Sequence, residues 1–221
     1  MKKNAKTISR NMVHRLPLYL SVARQLLSEG EDYVNAPQIA EIININPETV
    51  KKDLSLICKT PGNPRLGRKA ETLIQEIIDF GVYTQTSNAV IIGTGKLGLA
   101  LFSYTGFKEW GLNFVAGFDV NPNIIGKEVN GSYIYDIKML KSVIEITDAE
   151  LAVITVPSEA AQEVVNLAID AGIRAIWNFA STHVQVPSNI ILHNENMASS
   201  LALLNYNLRL KYKKGTSKKS G

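Results

Sequence analysis

A single cysteine, Cys58, stands in a chain of 221 residues. It excludes an internal disulfide and leaves no thiolate cluster for zinc. Histidine is nearly as scarce: His14, His183 and His193 are scattered without ligand spacing, so no metal site is expected. Long apolar runs are missing too. Residues 89–92 and 151–156 fall far short of the roughly 20 residues a bilayer span needs, and the polar, basic N-terminus has no signal-type apolar core. The expectation is a cytoplasmic protein without membrane or metal. A hydrophobic share of 45% with 20% charged residues excludes a disordered chain, and the length suffices for two small domains with genuine cores.

The net charge of +4 conceals an uneven distribution. Residues 1–80 hold 12 Lys and Arg against 9 Asp and Glu, residues 81–208 hold 6 against 11, and residues 209–221 hold 6 against none. Basic ends around an acidic middle suit a polyanion-binding end joined to a domain with another task, although a solvated surface produces the same count.

The first 80 residues read as helices. Leu16, Leu20, Ala23 and Leu27 have helical spacing over residues 16–27, with Pro17 tolerated in the first turn and Gly30 as a stop. A short helix is expected over residues 37–43. A third starts at Asn46, a good N-cap, with Pro47 in first position. There Val50, Leu54 and Ile57 form one stripe, while Glu48, Lys51, Lys52 and Ser55 lie opposite and Thr49 on a flank. This is a helix-turn-helix pattern, and a plain three-helix packing unit fits it about as well. Residues 59–69 are rich in Gly and Pro and carry Lys59, Arg65, Arg68 and Lys69. Beside a helix-turn-helix they read as a basic wing lying along phosphate or in a minor groove; alone, they read as a solvated linker. One more helix is expected over residues 70–80, then a connection over residues 81–87.

From there strands and helices alternate: strands at residues 88–92, 114–118, near Tyr133, 151–156 and 173–179, with helices from Leu97 and over residues 158–171. That is the pattern of a largely parallel sheet. Gly93, Thr94, Gly95, Lys96, Leu97 and Gly98 follow the first strand and open the first helix. In a dinucleotide fingerprint Gly93 permits the tight turn, Gly95 lets the backbone approach pyrophosphate and Gly98 lets the helix close on the strand. Asp119 ends the second strand 21 residues beyond Gly98. A carboxylate there accepts from ribose hydroxyls and repels a 2′-phosphate, which favours NAD(H); the competing reading is a cap for the turn before Asn121 and Pro122. Thr155, Val156 and Pro157, and Asn178, Phe179 and Ala180, occupy later strand ends, where such a sheet binds ligands.

A dehydrogenase needs an acid/base and a substrate domain. After Phe179 only about 40 residues remain, and His183 is the one candidate acid/base near the nicotinamide end. No catalytic residue is expected. Residues 196–212 read as a helix with Leu201, Leu204, Leu208 and Tyr212 on one stripe, to be packed on a two-fold partner or on its own sheet domain.

Together, residues 15–20 (RLPLYL), residues 49–55 (TVKKDLS), IGTGKLGLAL, SYTGF with Tyr104, FDVNP, TVPSEAAQEV, AGIRAIWNFA and the C-terminal helix resemble the Rex family of redox-sensing repressors over nearly the whole chain. The resemblance implies a homodimer with an N-terminal winged helix-turn-helix domain (1–80), a Rossmann domain (81–194), a swapped C-terminal dimerisation helix (195–212) and a basic tail (213–221). The family binds a palindromic double-stranded operator and releases it when NADH displaces NAD⁺. It implies DNA contacts at Thr49, Lys51, Lys52, Ser55, Lys59, Arg65 and Arg68, and nucleotide contacts that include Tyr104 and Met197. The chain departs from the family pattern at Ser21 and Asn196, where the family often has an arginine and an acidic residue. Met197 stands for a phenylalanine that shields nicotinamide, and Arg68 for a wing tyrosine. The rival readings are a constitutive DNA-binding paralogue and an NAD-dependent oxidoreductase.

Overall fold

The computed structural model describes residues 9–80 and 86–213. The chain divides into two compact units, Met1–Thr86 with Glu109–Gly111, and Ser87–Lys108 with Leu112–Gly221. Most of the connection expected at residues 81–87, and the basic tail beyond Lys213, lie outside the described residues.

The first unit contains α1 (Arg10–Ser28), β1 (Tyr33–Val34), α2 (Ala36–Ile42), α3 (Pro47–Ile57), β2 (Arg68–Lys69) and α4 (Ala70–Asp79). The expected start of α1 at Leu16 is too late. Ser9 caps the helix by accepting from the Met12 amide at 3.2 Å, Met12 is buried, and Pro17 therefore stands inside the helix. Burying Met12, Leu16, Tyr19, Leu20 and Ala23 offsets the cost of an interior proline, about 3 kcal/mol. Asn35 and Gln38 close a reciprocal capping box on α2, each bond 2.9 Å. Asn44 turns the chain with φ of 55°, and the Asn46 side chain accepts from the Glu48 amide at 2.8 Å to start α3. Val50, Leu54 and Ile57 are buried against α1, α2 and α4 in one core. β1 and β2 pair antiparallel, Tyr33 opposite Lys69 and Val34 opposite Arg68. With the turn between Asn63 and Gly67 they complete a winged helix-turn-helix, so the chain between Lys59 and Lys69 is a wing rather than a linker.

The second unit comprises β3 (Ser87–Ile92), α5 (Lys96–Ser103), β4 (Leu112–Asp119), β5 (Glu128–Val129), β6 (Ser132–Asp136), α6 (Leu140–Thr147), β7 (Leu151–Ile154), α7 (Ser158–Asp170), β8 (Ala175–Asn178), β9 (Ile191–Asn194) and α8 (Met197–Lys213). The sheet order is β5-β6-β4-β3-β7-β8-β9, parallel except for the edge strand β5. From β6 onward this is the doubly wound Rossmann order, with the direction of winding reversing between β3 and β7. Alternate residues enter opposite layers. Val90, Ile92, Ala152 and Ile154 meet α6 and α7, while Ile91 and Val153 meet Phe102 of α5. Burial on both faces explains why these strands read as unbroken apolar runs.

α8 behaves differently. All its described side chains are exposed, including Leu201, Leu204, Leu208 and Tyr212. Its apolar stripe does not pack on its own sheet domain.

Candidate nucleotide cleft and nucleic-acid interface

The carboxyl ends of β3, β4 and β7 surround a cleft of about 510 Å³ at the point where the winding reverses. Gly93, Gly95 and Leu97 form one wall, Asp119 and Val120 another, and Thr155, Pro157, Phe179 and Ala180 a third. The glycines differ in what excludes a side chain. Gly93 has φ of +94°, and a Cβ there would lie 2.7 Å from Val156 Cγ1. A Cβ on Gly98 would collide with the Gly93 carbonyl and lie 2.8 Å from Thr155 Oγ1. Gly95 faces open space and caps the N-terminus of α5, leaving room for backbone to approach an anion. Thr155 stitches the loop from the other side, its hydroxyl donating to the Gly93 carbonyl at 2.6 Å.

Asp119 caps the turn after β4 and also binds the glycine loop. Its Oδ1 accepts from the Val120 and Asn121 amides at 2.8 and 2.9 Å, so it does cap the turn. Its Oδ2 accepts from the Thr94 amide at 2.6 Å and the Thr94 hydroxyl at 3.1 Å, tying the glycine loop to the end of β4. The same side chain still lines the cleft.

Other expected nucleotide residues fall outside this cleft. Thr94 is fully buried and acts through Asp119. Lys96 and Gly98 belong to α5 but do not line the cleft. Asn178 is also fully buried. Its Oδ1 accepts from the Ala180 amide at 3.0 Å, and its Nδ2 donates to the Thr182 carbonyl at 2.9 Å and to Asn194 Oδ1 at 2.8 Å. With its bonding spent inside the protein, Asn178 shapes the loop carrying Phe179 and Ala180 rather than offering a ligand contact. Tyr104 stacks edge-on to Phe107, centroids 5.0 Å apart, in a separate shallow depression. Met197 is exposed at the start of α8. The structure of the single chain brings neither to the cleft.

In the first unit a groove of about 540 Å³ runs between α3 and the wing. It gathers Lys51 and Ser55 from α3 with Arg65 and Arg68 from the wing. Lys52 and Lys59 are exposed outside it, and Thr49 is half-buried on the flank of α3. Arg68 is less free than expected: its guanidinium donates to the Thr60 carbonyl, which places it at the wing root. At the tip, Asn63 Oδ1 accepts from the amides of Arg65 and Leu66 at 2.8 and 3.1 Å, fixing the turn that presents Arg65.

Sequence reasoning missed Asp53. Buried on the inner face of α3, it accepts from the Tyr19 hydroxyl at 2.7 Å and from Arg15 Nε at 2.8 Å, and pairs with Arg15 Nη2 at 2.7 Å. Burial opposes the Arg15 charge, but the bonds to Asp53 and Tyr19 outweigh it and raise the guanidinium pKa. Burial, with the Asp53 bond, also holds the Tyr19 hydroxyl protonated well above its ordinary range. The signal available was an acid placed between Val50 and Leu54 on the apolar side of α3.

Two family models match: a putative DNA-binding protein N-terminus over residues 7–55 and a CoA binding domain over residues 84–182. The redox-sensing transcriptional repressor Rex of Bacteroides thetaiotaomicron is 37% identical over 192 residues, spanning 87% of each chain. The chain belongs to the Rex family. The Rex of Treponema denticola is likewise 37% identical, over 87% of this chain and 91% of its own. Among solved structures, the Rex-family repressor RSP superposes with a TM-score of 0.81 at 26% identity. This holds for its complex with NAD⁺ and operator DNA, covering 97% of this chain and all of RSP, and for its complex with NADH, covering 95% and 98%. Rex proteins are transcriptional repressors, and the winged-helix and Rossmann units of this chain are those of the family. Among the described residues no helix is long and apolar enough to cross a membrane, and no group of three or more His, Cys, Asp or Glu could hold a metal.

Proposed function

We propose that this chain is a repressor that binds a palindromic operator as a homodimer, senses the balance of NADH and NAD⁺ and catalyses no reaction. It acts in the cytoplasm. The observation that carries the reading is the joining, in one chain, of a groove between a recognition helix and a wing to a cleft built on Gly93, Gly95 and Asp119. Lys51, Lys52, Lys59 and Arg65 neutralise phosphates; Thr49 and Ser55 lie where α3 meets base edges. Arg68 supports the wing, and contributes its charge to the same groove. In the cleft the α5 N-terminus takes the pyrophosphate and Asp119 the adenosine ribose, which selects NAD(H) over NADP(H). Phe179 and Ala180 line the nicotinamide half, completed by Tyr104 and Met197 once a second protomer is in place.

The exposed stripe of α8 is the dimerisation surface, the two helices being exchanged between protomers. NADH releases DNA because it binds the released state better than the operator-bound state, and linkage requires operator DNA to weaken NADH by the same factor.

The test is operator binding by the purified protein at fixed salt, with NADH and NAD⁺ titrated separately. Release by NADH and not by NAD⁺ supports the reading. Tight binding indifferent to both nucleotides would replace it with a constitutive DNA-binding paralogue.

A further inference from the structure

Glu76, on α4, has a carboxylate that neither DNA nor nucleotide contact accounts for. Its side chain is only 11% exposed. One oxygen, Oε1, accepts from the Lys59 amide at 2.9 Å, the Thr60 amide at 2.8 Å and the Thr60 hydroxyl at 2.9 Å. The other, Oε2, lies 4.0 Å from the Arg68 guanidinium, which itself donates to the Thr60 carbonyl. Lys59 and Thr60 start the wing and Arg68 ends it, so one side chain from α4 grips both legs of the hairpin where they leave the domain. The Cys58 thiol, beside the same carboxylate, is pushed up to about 12, chiefly by burial, with Arg68 opposing and Glu76 adding to the shift. It is a closed, protonated neighbour of the clamp rather than a reactive thiolate.

The wing needs such a grip. Its ladder amounts to two residue pairs of β1 and β2 and the Asn63–Gly67 bridge, and an isolated two-stranded ribbon is marginal in water. Bonds to a charged acceptor are roughly twice as strong as neutral ones. A wing already held at its root loses less freedom on binding a rigid duplex.

We propose that Glu76 is a positioning residue for operator binding: it touches no DNA, and by anchoring Lys59, Thr60 and Arg68 it presents Lys59 and Arg65 to the phosphates. This rests on the proposed function, in which the wing contacts DNA. The clamp's effect is therefore confined to contacts made by the wing, leaving those of α3 intact.

The experiment uses the full chain and a duplex carrying the site that the wild-type protein selects from a random-sequence pool. Glu76→Ala weakens binding about tenfold and lowers the salt slope by about two, since each lost phosphate contact removes about 0.9. In a Lys59→Ala/Arg65→Ala background the same change costs no more than about twofold, because the contacts it serves are already gone. Glu76→Gln, which keeps an acceptor oxygen but not the charge, gives a smaller loss that likewise vanishes in the Lys59→Ala/Arg65→Ala background, and it carries the test should Glu76→Ala not fold. An unchanged salt slope for Glu76→Ala, or a full tenfold loss in the double background, overturns the proposal. If Lys59→Ala/Arg65→Ala alone leaves binding and slope unchanged, the wing is no DNA contact, and the functional reading of the wing falls before the role of Glu76 is reached.

Discussion

Arg15 on α1 and Asp53 on α3, 38 residues apart, meet through Nε at 2.8 Å and Nη2 at 2.7 Å. The Tyr19 hydroxyl, one turn along α1, donates to the same Asp53 oxygen. The recognition helix is thus held to the first helix by a polar triad as well as by Val50, Leu54 and Ile57. Breaking such a pair from one side leaves a charge and a hydroxyl without their partner. Asp53→Ala is expected to destabilise the N-terminal unit by about 3 kcal/mol, the low end of the range for a buried pair because Arg15 retains some solvent. Denaturant unfolding followed with a probe confined to that unit measures the loss. A midpoint equal to wild type would show the triad to be energetically idle.

Glu76 sets a pH dependence with a definite sign. Burial pushes its carboxyl pKa upward, but the bonds from Thr60, Cys58 and Lys59 outweigh it, and the group sits below the usual value. A carboxylate depressed in the folded state contributes stability that is fully present above its unfolded pKa and is lost as pH falls through the folded one. The protection factors of the Lys59 and Thr60 amides, exchange rates taken relative to the intrinsic base-catalysed rate, should therefore be unchanged between pH 8 and 6. They should fall only in acid, below the ordinary carboxylate range; a loss of protection already at pH 6 would contradict the assignment.

Two glycine substitutions should separate folding from nucleotide binding. Gly98→Ala puts a methyl group into the Gly93 carbonyl and should lower the melting temperature along with nucleotide affinity. Gly95→Ala meets nothing within 4 Å, so the melting temperature should hold. Yet the methyl group obstructs the approach of pyrophosphate, and NADH affinity measured by its fluorescence should fall at least about tenfold, or about 1.4 kcal/mol.

Asp119→Asn keeps the shape but places an amide where two acceptor oxygens now serve Thr94, Val120 and Asn121. The preference for NADH over NADPH should shrink by about tenfold, because the repelling charge is gone. Parallel titrations of both nucleotides decide it, and a preference left intact would assign selectivity to other residues.

Asn178→Asp tests the loop. The new carboxylate would still accept from Ala180 but would face the Thr182 carbonyl and Asn194 Oδ1 with no hydrogen to offer. A buried acceptor facing acceptors costs about 1–3 kcal/mol, more when charged. Nucleotide affinity should fall with stability, since Phe179 and Ala180 line the cleft. Thermal melts with and without NADH separate the two effects.

What could be read along the chain is whatever short-range covalent geometry dictates. Gly93, Gly95 and Gly98 must stand at their spacing if a strand is to turn into a helix beside an anion. Asp119 must end the next strand, and Asn46, Pro47, Val50, Leu54 and Ile57 announce a capped amphipathic helix whatever surrounds it. A regular signal was overlooked at α6, where Leu140, Val143 and Ile144 have helical spacing, and β9 is a short edge strand that periodicity marks poorly. The rest was decided by partners distant in sequence. Pro17 sits inside α1 because Met12 finds a core; Asp53 is buried because Arg15 and Tyr19 arrive opposite it; Glu76 and Asn178 act as anchors because the folded chain brings Thr60 and Asn194 to them. A buried polar side chain is stable only where its hydrogen-bond partners converge, and that convergence exists only once the tertiary structure has formed.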